Sequence, residues 1–284
     1  MKKRSKKKAK KITKQIVIGI LKFIFILIPK SIWWAFRKLG FGILFLFRKV
    51  RKKGSEGVVR RKKPKAKPKP DLLKEVKHQK GKLAVFEHKL FTNKSMIGII
   101  LGARGTGKSA IGMRLLENFS VKTNKTVYAM GFKPESVPCW IQVVSSVGEI
   151  KNNSVLLVDE GGIEFSSRKS MSDANNILSE LLLIARHKDL SVLFITQNSS
   201  NLEVNAIRQA DFLLLKPSSL LQKDFERKKI KTIYENADSD FEELKDTLGL
   251  TYIFSDEFLG FVTNSLPNFW NDNVSKGYAN KNKE

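Results

Sequence analysis

The octapeptide Gly102-Ala103-Arg104-Gly105-Thr106-Gly107-Lys108-Ser109 constrains this chain more than any other feature. It fits the pattern G-x-x-x-x-G-K-[ST]. The apolar run Met96–Leu101 leads into it, and an amphipathic segment with Ala110, Ile111, Met113 and Leu116 on one face leads away. A strand running into such a loop and a helix leaving it is the context the motif requires. The glycines let the backbone curl until its N–H groups point at one anion, and the new helix adds the positive end of its dipole. The segment Gly102 to Ala110 therefore reads as a phosphate-binding loop. Lys108 would reach the outer phosphates and the Ser109 hydroxyl would hold Mg²⁺.

Two further strand ends complete a candidate site. Val155-Leu156-Leu157-Val158 is a four-residue apolar run that ends in Asp159 and Glu160. In an open α/β sheet, ligands bind beyond the carboxyl ends of the strands. Asp159 would thus join the Mg²⁺ shell, and Glu160 would polarise the attacking water as general base. Val192-Leu193-Phe194-Ile195 is a second apolar run, ending in Thr196 and Gln197. Gln197 would contact the γ-phosphate or the water. The expected ligands are ATP and Mg²⁺, and the expected reaction is hydrolysis. Arg186 and Arg208 are candidate arginine fingers serving a neighbouring subunit, with Arg168 a third. Arg104 lies within the loop itself.

The apolar runs Met96–Leu101, Thr126–Met130, Val155–Val158, Val192–Thr196 and Phe212–Leu215 predict buried strands. Ala174, Ile177, Leu178, Leu181, Leu182 and Ala185 recur at helical spacing. Strands alternating with helices predict an α/β fold, a mostly parallel sheet with helices on both faces. Past Pro217 the sequence predicts a helix from Leu220 to Glu235, then a capping box at Ser239–Glu242 opening a short helix to Leu248. Short strands over Thr251–Phe254 and Phe258–Val262 follow.

Charge divides the chain. Residues 1–81 hold 28 Lys and Arg against 3 Asp and Glu, whereas residues 82–284 hold 25 against 24. Attraction to a polyanion is thereby assigned to the N-terminal arm. Within the arm, Gln15–Pro29 and Ser31–Phe47 are apolar runs interrupted by Lys22, Arg37 and Lys38. Neither reaches the roughly 20 apolar residues of a spanning helix. On a helical wheel Lys11, Lys22, Lys30, Arg37, Arg48 and Arg51 gather on one side, opposite Ile, Leu, Phe and Trp. That pattern suits helices lying in a membrane interface, although a short inserted hairpin or packing on a partner also fits. The expected division is membrane-associating helices over 1–53, with lipid contacts from 12–53. A Lys/Pro linker over 54–81, a phosphate-loop domain over 82–263 and a flexible tail over 264–284 follow. The domain would then lie on the cytoplasmic face of a membrane. The single cysteine, Cys139, cannot form an internal disulfide and reads as a small core residue.

The set Asp159-Glu160, Ala185-Arg186-His187, Phe194-Ile195-Thr196-Gln197 and Ala206-Ile207-Arg208-Gln209-Ala210-Asp211 resembles the HerA/FtsK superfamily of RecA/FtsK-like P-loop NTPases. Within it, the Arg-His pair ahead of a strand ending Thr-Gln is similar to Zot-like phage proteins and small viral genome-packaging ATPases. The resemblance spans about residues 96–216. It implies an extra strand between the phosphate-loop strand and the acidic strand. It also implies a homo-oligomeric ring, often hexameric, that moves DNA by its backbone. An ATP-driven secretion or assembly factor that never touches DNA is the alternative, and a low-turnover nucleotide switch is another.

Overall fold

The computed structural model describes residues 66–161, 171–202, 204–271 and 274, with Gln15, Ile18 and Gly19 ahead of them. The chain divides into two compact units, Met1–Arg61 and Lys62–Glu284, and the residues from 66 onward belong to the second. The membrane-associating helices expected over 1–53 fall almost wholly outside the described residues, as does Arg168. Among the described residues, no helix is long and apolar enough to cross a membrane.

Nine strands form one sheet: β1 (Lys74–Gly81), β2 (Ile97–Leu101), β3 (Thr126–Met130), β4 (Gln142–Val143), β5 (Ser154–Asp159), β6 (Leu190–Ile195), β7 (Phe212–Leu215), β8 (Thr251–Ser255) and β9 (Phe258–Thr263). Their order is β1-β9-β8-β7-β2-β6-β5-β3-β4. The strands from β7 to β4 run parallel. The β8–β9 hairpin and β1 extend that sheet antiparallel.

The helices are α1 (Leu83–Thr92), α2 (Lys108–Lys122), α3 (Met171–Ala185), α4 (Val204–Gln209), α5 (Leu220–Phe225) and α6 (Lys228–Glu243). Strand side chains alternate between two cores. Ile99, Leu156, Val158, Val192, Phe194, Leu213 and Leu215 face the side of α3 and α6. Ile100, Val155, Leu157, Leu193, Ile195, Phe212 and Leu214 face that of α1 and α2. Residues apolar on both sides of a strand need helices on both faces, and that need fixes the layered architecture.

Four expectations are corrected. The domain does not start at 82. The stretch read as linker contains β1, which pairs with β9 from Lys74↔Thr263 to Gly81↔Phe258. Its composition hid it, because a polar edge strand has little apolar periodicity. β1 is held by backbone pairing and by Lys77 on Asp240 and Glu243 of α6. Of the tail expected to be flexible over 264–284, residues 264–271 and 274 are described, and there Phe269 is buried and meets Trp140 edge-on, ring centroids 5.5 Å apart. One continuous helix, α6, replaces the expected break at Ser239. Its buried face of Ile230, Ile233, Tyr234, Ala237 and Phe241 runs straight through that position. The break falls earlier, at Glu226-Arg227, where the buried Glu226 carboxylate accepts from the Ser199 backbone N–H at 2.8 Å. Cys139 is exposed rather than in the core.

Residues 66–73 and 264–271 both pack on the outer face of α2. Arg114, Glu117 and Asn118 of that helix are each 3% exposed or less. Arg114 Nη1 pairs with Glu117 Oε2 at 2.8 Å and donates to the Lys69 carbonyl at 3.0 Å. Its other nitrogens donate to the backbone carbonyls of Ser265 and Leu266. The Lys69 N–H donates to Glu117 Oε1 and the Asp71 N–H to Asn118 Oδ1, each at 2.9 Å.

Candidate functional site

The sheet order brings the sequence motifs together. β6 lies between β2, which feeds the glycine-rich loop, and β5, which ends in Asp159. Register carries this to the strand ends: Asp159 is opposite Ile195, and the Thr196 N–H donates to the Ile100 carbonyl at 3.0 Å. The ends of β2, β6 and β5 therefore open on one rim, with Gln197 between the loop and the acidic pair.

Gly102, Gly105 and Gly107 all have positive φ, at 149°, 82° and 91°. That region disfavours any residue with a Cβ. Gly107 caps α2 in the left-handed conformation, so the first N–H groups of the helix face the loop interior. Thr106 Oγ1 closes the turn by donating to the Ala103 carbonyl at 2.7 Å. Arg104 is exposed at the tip.

Lys108 is buried, and its Nζ donates to the carbonyls of Gly102 (2.7 Å) and Ala103 (2.8 Å). Burial pushes its ammonium down to about 8, against a smaller opposing pull from Asp159. Ser109 Oγ donates to Asp159 Oδ2 at 3.0 Å. A hydroxyl and a carboxylate oxygen at that separation are hard ligands that suit Mg²⁺. Among the described residues, no three His, Cys, Asp or Glu cluster to hold a metal alone. Such a cation would complete its shell with water or the oxygens of a bound ligand. Glu160, one residue beyond Asp159, is 5% exposed.

Gln197 is exposed, and its backbone is held from two sides. The Gln222 side-chain amide of α5 donates to the Gln197 carbonyl. The following turn is pinned by Glu226 and by Arg227 Nε on the Ser199 carbonyl at 3.0 Å. Arg186 and Arg208 do not join this rim. Arg186 precedes β6 and Arg208 precedes β7, so both lie toward the amino ends of the parallel strands, away from the rim, and both are exposed. At about 3.3 Å per residue, the length of β6 separates Arg186 from its own phosphate loop by about 20 Å.

Sequence reasoning missed Lys216, at the end of β7. It is 1% exposed, yet only a Pro-Ser stretch follows it, and in sequence it looks like an ordinary strand terminus.

A central parallel sheet, a glycine loop capping α2, Ser109 against Asp159, and a strand inserted between the two motif strands together define a P-loop nucleotide-binding domain. No protein-family model matches the chain, and no curated protein is similar to it in sequence. Among solved structures, the chain is similar to B204, the DNA-packaging ATPase from Sulfolobus turreted icosahedral virus. The TM-score is 0.41 at 15% identity, over 60% of this chain and 98% of that one. It is also similar to the conjugation coupling protein TcpA of pCW3 with ATPγS, with a TM-score of 0.41 at 11% identity, over 66% and 65%. A third likeness is to EssC (ATPases 2 and 3) from Geobacillus thermodenitrificans, with a TM-score of 0.40 at 12% identity, over 76% and 49%.

Proposed function

We propose that this chain is an ATP-hydrolysing motor of the HerA/FtsK type, tethered to the cytoplasmic face of a membrane by residues 12–53 and acting in DNA translocation, packaging or virion assembly. The observation that carries hydrolysis is the 3.0 Å approach of Ser109 Oγ to Asp159 Oδ2 beside Lys108, with Glu160 next in sequence. The loop N–H groups and Lys108 bind the β- and γ-phosphates. Ser109 and Asp159 would hold Mg²⁺, which when bound would supply positive charge beside the phosphoryl group. Glu160 accepts the proton of the attacking water, and Gln197 orients that water or reports its loss. Arg186 or Arg208 would serve a neighbour's site in a ring, because their own loop is beyond reach.

The test is steady-state ATP hydrolysis by the full chain on anionic liposomes, with and without DNA, across a salt series. Glu160→Gln should bind nucleotide normally and lose turnover by about 100-fold or more. Wild-type turnover in that variant would sink the hydrolytic mechanism. Stimulation by DNA that fades with salt supports the DNA motor.

One observation favours the reading in which ATP drives secretion or assembly without DNA. The 25 basic and 24 acidic residues over 82–284 leave that part of the chain nearly neutral. Turnover that responds to liposomes and ignores DNA would select it.

A further inference from the structure

Lys216 runs behind the phosphate loop. A Cβ placed on Gly102 would lie 2.5 Å from Lys216 Cβ, and one on Gly107 would lie 3.9 Å from its Cε and Nζ. The two backbones are joined as well. The Lys216 N–H donates to the Leu101 carbonyl at 2.8 Å, and the Ala103 N–H donates to the Pro217 carbonyl at 3.0 Å. The ammonium donates to the carbonyls of Gly249 (2.9 Å) and Leu250 (3.1 Å) in the turn between α6 and β8.

The charged and titratable groups around it are few. From the loop side comes Lys108, itself a cation bonded to Gly102 and Ala103. From α6 comes the Tyr234 hydroxyl, which donates to the Lys216 carbonyl at 3.2 Å and whose ionisation burial pushes far above the usual range. From β8 comes the Thr251 hydroxyl, on the Gly249 carbonyl at 3.2 Å. Burial pushes the Lys216 ammonium down to about 7, with no carboxylate among the described residues opposing it.

Lys125 is the informative contrast. It too is buried and bonded to two carbonyls, of Lys94 and Asp189. It lies at the other edge of the sheet, however, and the Asp189 charge supports its ammonium. Lys125 is a strut with a counter-charge. Lys216 has the same geometry without one, directly behind a loop built to receive an anion.

We propose that Lys216 is a second cation of the phosphate site, held in place behind the loop, and that the polyphosphate bound by Gly102–Ser109 supplies its missing counter-charge. This rests on the reading of that loop as a nucleotide site. Nucleotide binding then takes up a proton onto Lys216, and affinity weakens as pH rises through neutrality.

The test is calorimetric titration of the full chain with Mg²⁺ and the non-hydrolysable analogue AMPPCP, at pH 7.5, in two buffers of different ionisation heat. Wild type should take up about three-quarters of a proton more than Lys216→Met, whose affinity should fall severalfold. Lys216→Arg, permanently charged, should bind while losing the same uptake. Lys125→Met should keep the wild-type uptake even where its melting temperature drops. Equal proton uptake in wild type and either Lys216 variant overturns the proposal. If neither variant folds, wild type must still take up about half a proton at pH 7.0, where Lys108, at about 8, is already about nine-tenths charged, and uptake of about a tenth of a proton or less there overturns it. Absence of AMPPCP binding to wild type would instead refute the nucleotide-site reading.

Discussion

Lys108 and Lys216 place two buried ammoniums next to one loop, and their titration gives the unliganded protein a pH signature. Both are held below the ordinary lysine value of 10.5, at about 8 and about 7. Below those values both groups are charged in the folded and unfolded chain alike, and the full cost of burying the charge is present. Between those values and 10.5 the unfolded chain binds more protons, so stability rises with pH. The melting temperature without nucleotide should therefore climb from pH 7 to pH 9, and saturating Mg–AMPPCP should flatten the climb. A curve that falls over that interval would contradict the buried-cation picture. Ser109→Ala removes the hydroxyl that donates to Asp159. It should cost Mg²⁺-dependent affinity while leaving Mg²⁺-free nucleotide binding nearly intact, as read by titration with and without EDTA. That the loop, Asp159, Glu160 and Gln197 stand at strand ends on one rim was legible because each follows an apolar run, while their roles stay part of the proposal. Lys216 was not, because its role depends on a turn 33 residues away in sequence.

At the scale of elements, legibility followed burial. β3 and β7 have the bounds their apolar runs suggest, because strands buried on both faces admit few polar residues. β1, with Lys, Glu, His and Gln among its eight residues, escaped notice for the converse reason. The split between α5 and α6 depends on Glu226 folding back onto Ser199, a contact that leaves no local pattern. In β2, Gly98 lies against the Phe212 ring: a Cβ there would come within 2.2 Å of it, and that ring packs edge-on against Phe86 of α1. Gly98→Ala should cost about 1–3 kcal/mol by displacing the ring, as measured by urea unfolding. On α2, Glu117→Ala should be more damaging. It leaves the buried Arg114 guanidinium without its paired carboxylate and the Lys69 N–H without its acceptor, a loss of about 3–5 kcal/mol. A change below about 1 kcal/mol would mean the pair is not buried as described.

For the whole molecule, the sheet, the two covering layers and the rim of motif residues follow from alternating apolar strands and helices, but the boundaries do not. A chain beginning at residue 82 lacks β1 and the segment on α2. It should melt several degrees below one beginning at residue 66, and equal melting would argue against β1 as an integral strand. The same two segments have a mechanical meaning. Asn268 Nδ2 donates to the Lys67 carbonyl at 2.7 Å, so the two segments run side by side across the helix that begins at the phosphate loop. A load applied through the basic arm would therefore not be spread over the sheet. It would fall first on Trp140 and Asn268, which hold the carbonyls of Ala66 and Lys67, and next on Arg114, Glu117 and Asn118, so that pulling on residue 66 loads the back of α2.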